Sequence, residues 1–182
     1  MCLLSDQTIL ELVALGVLGV EPFDPALVQP ASLDVRLGKE LLWPTASSGR
    51  LMPGRISGYD NPSYINDSTK GASMSPGAFV LCSTLERIRI PANRQGQVEG
   101  QSSLGRIGLM THITAGFIDP GWDGVLTLEL KNVGGWEIGL YVGMKIGQIS
   151  FTWLDKPALR PYGSPGLGSH YQGAVGAQGI VG

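Results

Sequence analysis

The chain has 182 residues, of which 43% are hydrophobic and 15% charged, a composition that supports one folded domain over residues 1–182 and excludes a disordered protein. A formal net charge of −2, with no run of Lys or Arg, argues against nucleic acid as a partner. The sequence has neither a long apolar run nor a secretory leader pattern, so we expect a cytoplasmic protein that makes no membrane contact.

The first predicted element is a short amphipathic helix. Ser5 and Asp6 are typical N-terminal residues, an apolar stripe from Ile9 to Val13 follows, and Gly16 ends the pattern. After a Pro-rich connector, residues 32–37 alternate between apolar and polar side chains. This alternation predicts a half-buried strand that ends at Gly38.

The rest of the chain predicts a mainly β domain, because it carries many of the 27 glycines and 12 prolines between short periodic segments. Residues 44–76 are a long excursion with one short strand at most, which indicates a functional loop or an oligomer contact. Many short strands after it predict a barrel or jelly roll. They are expected at residues 79–84, 87–90, 110–113, 125–131, 138–141 and 145–153.

Two further features concern the tail and the cysteines. Residues 163–182 are rich in Gly and Ser, and we expect a flexible C-terminal lid that orders over a ligand or a neighbour. Cys2 lies at the N-terminus and Cys82 in a predicted strand, which favours free thiols over a disulfide framework.

Candidate chemistry is concentrated between residues 100 and 129. After Gly100, Ser102 and Ser103 offer two hydroxyls and consecutive backbone amides, which suit the oxygens of a phosphorylated ligand. Arg106 can neutralise phosphate or hold a carboxylate through its planar guanidinium. The alternatives are an ordinary turn and a surface charge.

A carboxylate on a strand completes this group. Leu128 and its apolar neighbours share one face of the predicted strand 125–131, so Glu129 points to a cleft, a subunit interface or solvent. Asp119 precedes Pro-Gly and either starts a turn or accepts from a sugar hydroxyl. The pattern therefore suggests a phosphorylated small molecule beside a general acid/base.

Other catalytic classes find little support. The zinc deaminase signature pairs H-x-E with P-C-x-x-C, whereas His112 is followed by Ile113 and Thr114 and the sequence has no C-x-x-C. The sequence contains no Walker A or dinucleotide fingerprint. His112 lies in a predicted strand, which favours a structural role.

Short sequence segments that are typical of one family occur in the same order along this chain. Together they make the chain resemble the deoxycytidine triphosphate (dCTP) deaminases, a branch of the trimeric deoxyuridine triphosphatase (dUTPase) fold. The resemblance implies a distorted β-barrel or jelly roll with a short N-terminal helix. It also implies a homotrimer whose active sites are shared between subunits, Mg²⁺ carried by the triphosphate, and no zinc. The matches lie at residues 4–6, 29–38, 76–81, 99–106, 114–122, 143–148, 161–163 and 171–173.

The same resemblance assigns roles by position. It makes Glu129 the general acid/base for attack of water on C4 of cytosine, with Ser102 and Arg106 as the other catalytic residues and Ser103 as a phosphate contact. No protein ligand to a metal is implied. The remaining substrate-binding positions are Gln101, Leu104, Gly105, Ala115, Asp119, Thr127, Leu128, Gln148, Tyr162, His170, Tyr171 and Gln178.

Three positions depart from the family pattern. Gln101 stands where Arg or Lys is usual, His170 where Lys is common, and Ala174 where glutamine is common, for which Gln178 is a candidate replacement. The first two changes remove positive charge from an expected phosphate site.

The resemblance implies hydrolysis of dCTP to dUTP and ammonia, with deoxythymidine triphosphate (dTTP) as an inhibitor. One alternative is a bifunctional enzyme that forms dUMP and pyrophosphate. The sequences of residues 115–119 and 161–164 favour this alternative. The others are a dUTP pyrophosphatase and a nucleotide-binding protein with altered specificity.

Overall fold

A computed structural model describes residues 2–44, 63–65 and 71–179. Within these ranges the protein is mainly β with a short N-terminal helix, as the sequence predicts. The helices are α1 (Asp6–Ala14), a 3₁₀ turn (Pro25–Leu27) and α2 (Ser102–Gly105). The strands are β1 (Gly19–Glu21), β2 (Val28–Gln29), β3 (Ser32–Leu42), β4 (Ser63–Tyr64), β5 (Ala72–Met74), β6 (Phe79–Arg89), β7 (Arg94–Gly100), β8 (Leu109–Met110), β9 (Phe117–Ile118), β10 (Asp123–Asn132), β11 (Ile138–Leu140) and β12 (Lys145–Trp153).

The main sheet has the strand order β8-β10-β6-β3-β12-β7-β9, with β1 added to β6 and with β2 and β4 added to β3. Strand β3 joins its two halves, because residues 33–36 pair with β12 and residues 37–42 pair with β6. The change of partner falls between Arg36 and Leu37, next to Gly38, where an added Cβ would lie 2.5 Å from Ser83 Oγ and 3.0 Å from the Ser83 carbonyl oxygen. The prediction that this strand ends at Gly38 is therefore wrong: the glycine allows a close crossing, and the strand continues.

Other strand predictions also needed correction. The strands predicted at 79–84 and 87–90 form one continuous strand, β6, which ends at Arg89, and the strand predicted at 110–113 is reduced to β8. Strand β7 was missed because its sequence is polar and contains glycine, yet it pairs with β12 over seven residues. Pairing within the sheet overrides its weak intrinsic preference for strand. Most of the excursion at 44–76 lies outside the described residues, but its described parts contain two short strands, β4 and β5, where one at most was expected.

The core lies beneath this sheet and confirms the predicted alternation of β10. Leu128 and Leu130 are buried in the core, whereas Glu129 between them is partly exposed on the opposite face. Helix α1 adds Ile9 and Leu12 to the same core. In the described part of the chain, no helix is long and apolar enough to cross a membrane.

Candidate active site

A cavity of about 370 Å³ lies on the polar face of β10, within the size range of small-molecule sites. Its walls come from β10, the segment 115–122 that contains β9, strands β6 and β7, Tyr162 and the C-terminal tail. The lining residues are Phe79, Leu81, Val98, Ala115, Phe117, Ile118, Asp119, Trp122, Leu126, Thr127, Glu129, Tyr162, Tyr171, Gln178 and Gly179.

Glu129 is held in this cavity by the backbone of the preceding loop. Its Oε2 accepts hydrogen bonds from the backbone amides of Ile113 at 3.1 Å and Thr114 at 3.5 Å. Among residues 2–44, 63–65 and 71–179, no hydrogen-bond donor contacts Oε1. A rigid strand and two amides thus orient the carboxyl group, and one oxygen is left to meet a substrate.

Aromatic side chains form one wall. Trp122 is nearly buried, and its ring centroid lies 5.4 Å from that of Tyr162. The Tyr162 hydroxyl accepts a hydrogen bond from the Tyr171 backbone amide at 3.1 Å. Gly121 has a φ of +91°, and an added Cβ would lie 2.6 Å from Cβ of Pro161, so its lack of a side chain lets the segment carrying Tyr162 pack here.

The C-terminal tail packs along β10 of its own chain. The Gly173 amide donates to the Asp123 carbonyl at 2.8 Å, and the Val125 amide donates to the Ala174 carbonyl at 2.9 Å. Further on, the Gln178 amide donates to Thr127 Oγ1 at 3.0 Å. These contacts bring the end of the described tail over the cavity. The predicted opening and closing of a lid at 163–182 stays a prediction, and residues 180–182 lie outside the described residues.

The predicted phosphate-binding segment lies elsewhere on the chain. Ser102, Ser103 and Arg106 are exposed on and just after α2, and none of them lines the cavity. The preceding residue, Gln101, turns its side chain inward and donates to Asp34 Oδ1 at 2.8 Å. A single chain therefore presents two separate groups of predicted site residues.

The remaining predicted positions differ in placement. Gln148 accepts a hydrogen bond from Ser32 Oγ at 2.9 Å, and His170 is exposed beside Tyr171. The Leu128 side chain lies in the core, so only its backbone can meet a ligand. Leu104 and Gly105 belong to α2 and, like these three, do not line the cavity.

Of the sequence-predicted site residues, the cavity brings together Ala115, Asp119, Thr127, Glu129, Tyr162, Tyr171 and Gln178. Sequence reasoning missed most of the apolar lining. Phe117 and Trp122 lie in the segment 114–122, one of those on which the family resemblance rests, and that position could have indicated that they line the cavity. Phe79 and Leu81 reach the cavity from β6, and no local pattern distinguishes them from core residues.

The donor set is compatible with a magnesium ion that enters with a nucleotide. Within the described ranges no group of three His, Cys, Asp or Glu side chains could hold a metal ion. Mg²⁺ keeps several water ligands when it is bound to substrate phosphates, so it does not require a dedicated cage of protein ligands. Asp119 and Glu129 are the carboxylates that line the cavity.

Comparison with known proteins gives the family. The family model described as dCTP deaminase-like matches residues 3–154. The chain belongs to this family. A relative from Corynebacterium glutamicum, named dCTP deaminase, dUMP-forming, is 46% identical over 175 residues, covering 96% of this chain and 93% of its own. A relative of the same name from Mycobacterium marinum is 46% identical over 179 residues, covering 96% of this chain and 92% of its own.

Comparison with solved structures agrees with the fold. The crystal structure of 2′-deoxycytidine 5′-triphosphate deaminase from Agrobacterium tumefaciens matches with a TM-score of 0.67 and 27% sequence identity over 84% of this chain. The matched region is 48% of that chain, so the dCTP deaminase-like domain described here spans about half of its length. The family and the fold inferred from the sequence are thereby confirmed.

Proposed function

We propose that the chain is a bifunctional enzyme that converts dCTP and two water molecules into dUMP, ammonia and pyrophosphate. The names of the relatives at 46% identity support this product over the dUTP expected first from the sequence. The observation that carries the proposal is the carboxyl group of Glu129, fixed in a nucleoside-sized cavity with one oxygen free of protein donors.

In the first reaction Glu129 acts as general base and then as general acid. Its Oε1 takes a proton from water as the water oxygen adds to C4 of cytosine, and delivers it to N3. It then carries the proton of the new C4 hydroxyl to the amino group, so that the C4–N bond breaks, ammonia leaves and the C4 carbonyl of uracil forms. Positioned proton transfer of this kind contributes about 10²–10⁴-fold in rate. Closure by the tail excludes bulk water and strengthens the polar contacts inside.

In the second reaction a water molecule attacks the α-phosphorus, and the bond to the bridging oxygen breaks to release pyrophosphate. Asp119 accepts a hydrogen bond from a sugar hydroxyl and fixes the deoxyribose. Mg²⁺ enters as part of the substrate and neutralises charge on the phosphates. dUTP is then an intermediate as well as a substrate, and dTTP is an expected inhibitory ligand.

The protein forms a homotrimer, in which the nucleotide lies in the cavity of one subunit. Its triphosphate is bound by Ser102, Ser103 and Arg106 of a neighbouring subunit. Their exposure and their separation from the cavity of their own chain support this arrangement. Exposed apolar side chains nearby, among them Met110 and Trp136, also favour a covered surface.

A product assay with dCTP and Mg²⁺ tests the chemistry. Chromatography should resolve dUMP and pyrophosphate, with ammonia in equal amount. Glu129→Gln should lower ammonia release by about 10²–10⁴-fold. Glu11→Gln, which changes an exposed carboxylate on α1 outside the cavity, should leave it unchanged.

Other outcomes lead to other functions. Undiminished ammonia release in Glu129→Gln would remove this residue from its role. Accumulation of dUTP would restrict the enzyme to deamination, and pyrophosphate from dUTP with no ammonia from dCTP would make it a dUTP pyrophosphatase. Calorimetric binding without turnover would indicate a nucleotide-binding protein.

Mixing subunits tests the shared site. Arg106→Ala and Glu129→Gln should each be inactive, but co-expression should restore activity. With random assembly of a trimer, about one quarter of the sites combine an intact Arg106 with an intact Glu129 from the neighbour. No recovery in verified mixed oligomers would mean that each site draws both residues from one chain.

A further inference from the structure

One contact outside the cavity fixes the end of the tail. Glu40, in the second half of β3, accepts a hydrogen bond from the Ala177 backbone amide through Oε2 at 3.0 Å. Residues 40 and 177 are 137 positions apart in the chain. Glu40 does not line the cavity, so nothing in the proposed chemistry assigns it a role.

The sequence of the tail is adapted to this carboxylate. The three atoms nearest to a Cβ added at Gly176 would all belong to the Glu40 carboxyl group, with its carbon at 2.6 Å. Gly176 does not adopt a left-handed φ, so the backbone there accepts any residue. The position needs glycine because the carboxylate approaches the backbone closely.

The contact continues directly into the cavity. Ala177 is buried with Leu42 and Leu81, and the next residue, Gln178, bonds to Thr127 and lines the cavity beside Glu129. Before this point, the last backbone bond between the tail and β10 is at Ala174. Glu40 therefore supports the part of the tail that reaches the ligand.

We infer that Glu40 is a positioning residue, which ties residues 176–178 to β3 and so keeps the tail closed over the nucleotide. The kinetic part of this inference rests on the proposed function. If only a fraction of molecules has the tail closed, the apparent affinity is the intrinsic affinity multiplied by that fraction. Because Glu40 touches no reacting atom, its loss raises KM, whereas kcat at saturation stays close to its original value.

A double-mutant cycle tests the inference, using Glu40→Ala, Gly176→Ala and the two combined. Hydrogen exchange of the amides at 174–178, measured without nucleotide, should accelerate about threefold in each single variant. The alanine at 176 displaces the carboxylate only where a carboxylate exists, so the double variant should match Glu40→Ala. Glu40→Gln keeps an acceptor oxygen and should restore most of the protection.

The kinetic readout uses the same proteins with dCTP and Mg²⁺. KM should rise about threefold in Glu40→Ala with kcat changed less than about twofold, because a tenfold weaker closing equilibrium divides between faster exchange and lower apparent affinity. Glu11→Ala removes a carboxylate from α1, which contributes nothing to the cavity, and should change neither exchange at 174–178 nor KM.

Three results would overturn the inference. Unchanged exchange in Glu40→Ala would show that the carboxylate does not hold the tail. Additive effects on exchange in the double variant would show that Gly176 and Glu40 act on the tail independently. Faster exchange at 174–178 with an unchanged KM would show that the attachment of the tail to Glu40 has no part in nucleotide binding. If the wild-type protein does not turn over dCTP, the exchange cycle still decides whether Glu40 anchors the tail.

Discussion

Replacing Gln101 by alanine tests whether this residue holds the Ser102–Arg106 segment in place or binds the nucleotide, as the family resemblance implies. The structure gives its side chain a protein partner, since Nε2 donates to Asp34 Oδ1 at 2.8 Å. Asp34 is only 4% exposed, and its other oxygen accepts from Lys145 Nζ at 2.8 Å. Removing the amide leaves one oxygen of a buried carboxylate without this donor.

The expected loss follows from the kind of bond. A hydrogen bond to a charged group contributes about 1.5–3 kcal/mol, so we expect Gln101→Ala to lower the free energy of unfolding by about 2 kcal/mol. For a domain of this size that corresponds to a Tm lower by about 4–8 °C. Gln101→Lys keeps a donor and adds a charge opposite to that of Asp34, and should stay close to the wild type.

The assay is thermal unfolding without nucleotide at one protein concentration, because association would make Tm depend on concentration. Gln7→Ala, which removes an exposed side-chain bond on α1, is the matched control and should leave Tm nearly unchanged. An unaltered Tm in Gln101→Ala together with a raised KM for dCTP would refute the reasoning, because the residue would then act on the phosphates and not on Asp34.

Two other predictions concern groups buried in the sheet. Arg36→Ala should lower the free energy of unfolding by about 3–5 kcal/mol in urea titration, because Glu86 is fully buried and loses its 2.6 Å ion pair. Adding Glu86→Gln to this variant should recover part of the lost free energy. Burial raises the pKa of the Cys82 thiol. The unfolded chain therefore releases this proton first, and above a pH of about 8.5 stability falls by about 1.4 kcal/mol per pH unit. Cys82→Ala should remove that slope, and an equal slope in both proteins would contradict the assignment.

Local patterns were sufficient for much of the fold. The N-terminal helix has its cap residue, apolar stripe and terminal glycine within a few positions of one another, so short-range rules identify it. The alternation on β10 put Leu128 inside and Glu129 outside for the same reason. The strand at 145–153 also agrees with β12 in the structure.

Where the prediction failed, distant residues decided the outcome. Gly38 has the appearance of a strand end, but Ser83 lies against it and the strand continues across two halves of the sheet. Strand β7 is polar by sequence and exists because β12 pairs with it. A partner remote in the chain supplies the hydrogen bonds in both places, and no local pattern records it.

The sequence by itself determined the family, the mainly β fold and the face of its strand on which Glu129 lies, because ordered motifs and side-chain alternation are local properties of a chain. Only the tertiary structure decided which predicted residues share a cavity and which do not. It separated Arg106 from Glu129 within one chain, turned Gln101 toward Asp34, and brought Glu40 to the tail. These pairings depend on how the strands cross, and a contact such as that of Glu40 with Ala177, 137 positions apart, cannot be predicted from the residues next to either partner in the sequence.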